Sequence, residues 1–438
     1  LLKYEVIIKK VLSDPTYVDG DRLPPIRTLA DEMSCSRGTV IKAYEVLEER
    51  HLAYTIPQSG TYLMKNLVTK VVFQKRVDFV SAGLEAKLRP HKHFEHCMIQ
   101  ALQSEHYNYA PPEGLESLRR CLVKHFEKRH LYTSADRILV TTGAQQALYL
   151  VLQLVLESKQ ILMIEQPTYG DFQRIIEKTD APVLTFNRGD NGVDFKTLEA
   201  KLKQNKVGWL YTVSNFQNPL GTSLSSKDKN KLLMLAYQYD FYVIEDDYLG
   251  DLNLDLKVET LHYLDVENRV FYVTSFSKTF LPGIRIGALI APTTHMEMLT
   301  FYKKSIDLNT CTLSQMGLQK YFDAEIYDKH IQKVRRSVRA KMKLLKQYQK
   351  LFMDKGIQCI IPDAGIFVWL EFSQNVDSIR FVECLKEAHI DVTCGDYFYW
   401  FQNTPSHAIR ISVANADEKM ITQGIERIIE LIEKYEKG

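Results

Sequence analysis

From residue 78 onward the chain repeats one pattern, a short aliphatic run followed by a stretch of helical periodicity. The runs are RILVTTG, QILMIEQ, APVLTF, GWLYTV, FYVIEDD, RVFYVTSF and RIGALIA. Runs this short and this apolar are strands buried on both faces. Their alternation with helices predicts an α/β fold with a mainly parallel sheet covered by helices. Ligands of such folds bind beyond the carboxyl ends of the strands, so the residues that follow each run are the candidates for chemistry.

RILVTT leads into GAQQALYLVLQLVL, which places Gly143, Ala144 and Gln145 at a helix start. Free N–H groups and the helix dipole favour a phosphate there. Tyr169 follows QILMIEQ, where its ring can stack on a flat heterocycle. Asn218 lies in the turn SNFQNPLG, and FYVIEDD ends in Glu245, Asp246 and Asp247 with Tyr248 next. A buried strand finishing in three acids predicts that they meet a cation. In VTSFSKTFLPGIRIGALIA, Lys278 stands between an apolar strand and a Pro-Gly turn, with Ser275, Ser277 and Arg285 around it. That is a costly place for an ammonium unless the amine has a task.

Taken singly, each of these has a plain alternative: a core aromatic, a turn residue, an acid capping a helix. Their order and common location describe a site for pyridoxal 5'-phosphate. A desolvated lysine suits covalent attachment to the cofactor aldehyde. Asp246 suits the protonated pyridine nitrogen, with Tyr248 and Asn218 on the ring's phenolic oxygen. The stretch SFSKTFLPGIRIG, with NPLG and DDY upstream, resembles the fold-type I aminotransferases of the class I group, whose signature is S-x-S-K, a Pro-Gly turn and R-x-G. The resemblance runs from about Asp78 to the carboxyl terminus and implies a smaller C-terminal α+β part. It also implies two further roles. Tyr109, in YNYAPPEGLESLRR, would reach the cofactor phosphate of a neighbouring subunit, which makes a homodimer expected. Arg410, in AIRISVAN, would clamp an α-carboxylate through its bidentate fork.

The amino-terminal stretch has a different grammar. GDRLPPIRTLADEMSCSRGTVIKAYEVLEE carries two helical patterns about the turn SCS, the first opened by Pro25 with Ile26, Leu29 and Ala30 on its apolar face. The second runs from Thr39 to Arg50 and buries Val40, Tyr44 and Leu47. AYTI and TYLM, joined by PQSG, then form a hairpin wing. The second helix would present Ser36, Arg37, Thr39 and Lys42 to a major groove, with Arg22 and Arg27 holding the backbone. Local charge is weakly basic, 12 Lys and Arg against 9 Asp and Glu over residues 1–76. The motif G-D-R-L-P-P-I-R-T-L-A followed by S-R-G-T-V resembles the winged helix-turn-helix of the GntR family of bacterial regulators. The expected organisation is a DNA-binding domain at residues 1–63, a linker at 64–77 and a cofactor-binding, dimerising domain at 78–438.

Composition narrows the function class. A net charge of +2 on 438 residues gives no global pull toward nucleic acid or membrane. The seven cysteines are scattered, with no C-x-x-C pair of the kind a metal or redox site needs. No bound metal is expected. No apolar run reaches the ~20 residues of a membrane span, and no signal-peptide pattern stands at the start, so a cytoplasmic location is expected. Together the two resemblances match the MocR/GabR branch of bacterial transcription regulators. They imply a regulator that binds operator DNA and senses an amino compound or pyridoxal phosphate itself. An active aminotransferase with an accessory winged helix is the alternative, and a cofactor-free dimeriser is a third reading.

Overall fold

The computed structural model describes residues 3–435 except 15, 19, 50–51, 58, 65–75, 105–107, 254–258 and 401–405. The chain divides into two compact units, Leu1–Lys75 and Arg76–Gly438. Most of the expected linker, residues 65–75, lies outside the described residues.

Unit 1 holds helices α1 (Lys3–Ser13), α2 (Ile26–Glu32) and α3 (Arg37–Glu49) and the antiparallel pair β1 (Ala53–Ile56) and β2 (Gly60–Leu63). Its core is Leu23, Leu29, Ala30, Val40, Tyr44, Leu47 and Leu63, joined by Ile7, Ile8 and Val11 from α1. Helix α1 falls inside the domain expected at residues 1–63, ahead of the two helical patterns read from the sequence. Ile26, expected on the apolar face of α2, is instead 38% exposed. It occupies the first turn, where Pro25 caps the helix, and burial begins one turn later. Likewise α3 starts at Arg37 rather than Thr39. Ser36 Oγ accepts from the Thr39 N–H at 3.2 Å and so caps the helix from one residue further back.

Unit 2 begins with β3 (Val77–Asp78), tied down by Arg76 on Asp391 at 2.6 Å. Its eight-stranded sheet contains β4 (Ile138–Thr141), β5 (Ile161–Gln166), β6 (Val183–Gly189), β7 (Gly192–Val193), β8 (Val207–Thr212), β9 (Tyr242–Asp246), β10 (Val270–Ser275) and β11 (Gly287–Ile290). The order is β4-β11-β10-β9-β8-β5-β6-β7. The pairs from β10 across to β6 are parallel. β11 runs antiparallel to both its neighbours, because the short turn after Lys278 brings the chain straight back beside β10. The apolar runs are explained by burial: β4, β8, β10 and β11 are buried at every residue. Further on lie β12 (Gln358–Ile360), β13 (Phe367–Glu371), β14 (Ile390–Asp391), β15 (Thr393–Cys394) and β16 (Ala408–Ser412). β12-β13-β16-β15 form a second, antiparallel sheet, while β14 pairs with β3. The helix Glu418–Tyr435 contributes Ile421, Ile425, Ile428 and Ile432 to the core beneath that sheet. Among the described residues no helix is long and apolar enough to cross a membrane, and no cluster of His, Cys, Asp and Glu could hold a metal.

Candidate functional site

The carboxyl ends of β4, β5, β8, β9 and β10 open onto a cavity of about 480 Å³. Because β11 is antiparallel, its start reaches the same end, so one β10–β11 hairpin delivers both Lys278 and Arg285 to the wall. The second sheet closes the other side with Phe367, Thr393 and Arg410.

Lys278 is largely shielded from solvent. Burial pushes its amine down from the ordinary lysine value, and the charges of Arg410 and Arg285 push the same way against Asp171. Asp246 is 3% exposed; Oδ2 accepts from the Tyr211 hydroxyl at 3.0 Å, and Oδ1 has no hydrogen-bond partner. Burial raises its carboxyl to about 7, with the Tyr211 hydrogen bond pulling the other way. The three consecutive acids therefore diverge, and only one meets a cation. Asp247 pairs with Arg129 at 2.9 Å and accepts from Tyr272 at 2.7 Å. Glu245 takes the backbone N–H groups of Leu261 and His262 at 2.8 and 2.9 Å, together with the Ser214 hydroxyl. Asp246 alone faces the cavity.

At the β4 end, Gly143 has φ +87° and caps the helix Ala144–Ser158. A Cβ there would lie 2.8 Å from Arg285 Nη2, so glycine allows the guanidinium to lie across the loop. Arg285 donates to the Thr142 carbonyl at 2.9 Å and to Ser277 Oγ at 3.3 Å, and Ser275 Oγ accepts from the Ser277 N–H at 3.2 Å. Ala144, Gln145, Ser275, Ser277 and Arg285 thus gather donors around one helix N-terminus. Gln145 also donates to the Tyr169 hydroxyl at 3.1 Å.

On the opposite wall, Arg410 is 7% exposed and pairs with no carboxylate among the described residues. Nη1 donates to Asn218 Oδ1 at 3.1 Å, and Nη2 donates to Thr393 Oγ1 at 2.9 Å and the Val80 carbonyl at 3.0 Å, while Nε is unsatisfied. Its Cζ lies 4.3 Å from the Phe367 ring centroid. Burial lowers its pKa to about 10. Tyr248, expected to face a ligand, donates its hydroxyl to the Phe216 carbonyl at 2.7 Å. Tyr109 is 84% exposed and lies outside the cavity of its own chain.

The candidate nucleic-acid face is on unit 1. Arg22, Arg27, Ser36, Arg37 and Lys42 are exposed and Thr39 is half-buried. Ser36 and Thr39 hydroxyls sit 2.9 Å apart in the α3 cap. Lys42 reaches Glu45 at 3.2 Å and Glu49 at 3.9 Å along its own helix. Arg22 bridges to Tyr62 of the wing and packs on Gly60.

Several wall residues escaped the sequence reading. Asp171 and Tyr397 line the cavity, and the Tyr397 hydroxyl donates to Asp171. Tyr211, which holds Asp246, looks in sequence like any strand aromatic. An acid two residues after Tyr169 was the only available signal for Asp171; Tyr397 carried none, since its closeness to Gly170 is set by tertiary packing.

Residues 80–428 match the family described as "Aminotransferase class I and II", and residues 5–63 match "Bacterial regulatory proteins, gntR family". The chain is 30% identical over 431 residues to an uncharacterized HTH-type transcriptional regulator, YcxD, of Bacillus subtilis (strain 168), covering 96% of this chain and 97% of that protein. It is also 30% identical over 345 residues to aromatic-amino-acid aminotransferase 1 of Thermococcus litoralis, covering 77% and 81%. Among solved structures, a Pyrococcus horikoshii kynurenine aminotransferase in complex with PMP superposes with a TM-score of 0.77 at 28% identity, covering 82% of this chain and 91% of that one.

Proposed function

Because this chain belongs to the class I and II aminotransferase family and carries a GntR-type helix-turn-helix ahead of that domain, the arrangement of MocR/GabR-type regulators, we propose that it is a DNA-binding regulator whose larger unit holds pyridoxal 5'-phosphate and responds to an amino compound. One observation carries the cofactor reading. Asp246 Oδ1 is buried without a partner in the same cavity as Lys278, whose amine is displaced toward its neutral form. A buried carboxylate oxygen left unsatisfied is costly unless a donor arrives, and a pyridinium N–H is such a donor.

The residues present fit the group. Lys278 would hold it covalently, the helix N-terminus at Gly143, Ala144 and Gln145 would take its phosphate with Ser275, Ser277 and Arg285, and Tyr169 would cover the ring. Asn218 and Tyr248 would stand by its phenolic oxygen once Asn218 turns its amide from Arg410 and Tyr248 its hydroxyl from Phe216. Bound there, the cofactor supplies an aldehyde that exchanges amines and a ring that withdraws electrons. The chain's own contributions are positional: Asp246 keeps a proton at the ring nitrogen, Arg410 orients a carboxylate, and Lys278 moves a proton beside the exchanging amine. In unit 1, Arg37, Ser36, Thr39 and Lys42 would meet bases and phosphates, with Arg22 and Arg27 on the backbone. We take the assembly to be a homodimer in which Tyr109 completes the partner subunit's phosphate site. Two winged helices would then read two half-sites.

The test is direct. Lys278→Ala should abolish the borohydride-trapped cofactor and its visible band while operator binding by the cofactor-free protein persists; a reducible covalent adduct in that variant overturns the assignment. An aminotransferase with an accessory winged helix is favoured by the completeness of the cavity, in which lysine, aspartate and arginine all stand. Sustained turnover with an amino donor and an oxo-acid would establish that reading; a single spectral change without cycling supports the sensor.

A further inference from the structure

The charged side chains lining the cavity are Lys278, Arg285, Arg410, Asp246 and Asp171. On the reading above, four of these have a counterpart: Lys278 the cofactor aldehyde, Arg285 the phosphate, Asp246 the ring nitrogen, Arg410 a carboxylate of the effector. Asp171 has none. It forms no ion pair among the described residues. The arginine one turn further along its helix, Arg174, lies over the Tyr397 ring instead, 4.2 Å from the centroid.

Nor is Asp171 free to swing into solvent. It is half-buried in the first turn of the helix Gly170–Ile176 and accepts the Tyr397 hydroxyl. Tyr397 in turn packs so closely on Gly170 that any side chain there would run into the ring. The carboxylate is thereby held at the cavity wall beside Tyr397, where its charge acts on both Arg410 and Lys278. A fixed carboxylate in a shielded cavity that also holds a fixed guanidinium favours a ligand bearing both signs of charge beyond its reacting amine.

We propose that the effector is an amino acid with a second, cationic group, and that Asp171 receives that group while Arg410 takes the carboxylate. The inference rests on the regulator reading and adds the chemical class of the ligand. A purely structural Asp171, serving its helix N-terminus and Tyr397, would give no preference for charge.

The experiment uses the full-length protein loaded with pyridoxal phosphate, titrated with L-lysine and L-ornithine against the neutral L-norleucine and L-norvaline. It reads the visible band and operator affinity. The basic pair should bind on the order of tenfold more tightly or better, the margin of a hydrogen bond to a charged group. Asp171→Asn keeps an oxygen for the Tyr397 hydroxyl but removes the charge, and should erase that margin. Tyr397→Phe keeps the charge but releases the carboxylate from the hydroxyl that holds it, and should reduce the margin less than Asp171→Asn does. Equal affinities in the wild type, or a margin that survives Asp171→Asn, overturn the inference alone. Failure of the wild type to take up cofactor overturns the regulator reading with it.

Discussion

The two sites of this chain are built on opposite principles. The α3 face presents Arg37, Ser36 and Lys42 to solvent, with Ser36 engaged in the cap and Lys42 paired along its own helix. The cavity of unit 2 buries Asp246 and Arg410, leaves an oxygen of one and a nitrogen of the other without partners, and shifts both groups from their ordinary pKa values. A surface of the kind proposed here to meet a long polyanion needs no stored electrostatic tension, since water solvates it until the partner arrives. A cavity of the kind proposed here to select a small molecule gains discrimination from groups already desolvated and waiting.

The contrast can be broken by mutation, starting with the largest effect. Asp247→Asn removes one partner of a buried pair and should lower stability toward the low end of about 3–5 kcal/mol, because Arg129 keeps Asp251 at 3.2 Å. Calorimetry of the full chain measures it. Asp246→Asn should cost little stability yet weaken cofactor binding, seen by titrating the visible band. If Asp247→Asn weakens the cofactor more than Asp246→Asn does, the assignment within the acid triplet is wrong. Next, Arg37→Ala should cost about 1–3 kcal/mol of operator binding at matched salt, with cofactor uptake unaffected. Operator affinity equal to wild type would leave unit 1 without its reading helix. Ser36→Ala, which removes the α3 cap, should destabilise unit 1 by about 1 kcal/mol, read as faster amide exchange in α3.

The smallest expected effect is a pH slope. Burial raises both Asp246 and Glu245 to about 7, Asp247 adding to each and Glu165 to Asp246. Between the ordinary carboxylate range and pH 7 the folded, cofactor-free protein therefore holds more protons than the unfolded chain. Its stability from these groups is full at low pH and falls as pH rises through about 7. Melting temperatures of the cofactor-free protein should decline across pH 5 to 8, less steeply in Asp246→Asn. Filling the cavity should flatten the slope as well.

What could be seen in the sequence follows chain continuity. Lys278, Ser275, Ser277 and Arg285 fall within one hairpin, and Ser36 to Lys42 within the cap and first two turns of one helix, so adjacency in sequence is adjacency in space. The same holds for the alternation of strands and helices, which burial on both faces imposes directly. Asp171 and Tyr397 meet across 226 positions, and nothing local in either residue encodes the encounter. The acid triplet was visible as a group, but which acid faced the cavity depended on Arg129 and on the backbone at Leu261, both remote in sequence. Ile26 was misplaced for a related reason: periodicity gives the direction of a face but not where along the helix its cover begins.

Arg410 sits on β16, the strand between β13 and β15, and β16 is the last strand among the described residues. The eight-stranded sheet is complete by residue 290, so nearly all the other groups around the cavity are in place well before the guanidinium that closes it. A chain ended before β16 would lose Arg410 together with the middle of the second sheet and the helix Glu418–Tyr435 that packs beneath it, so the guanidinium and the core that seats it are gained in one step.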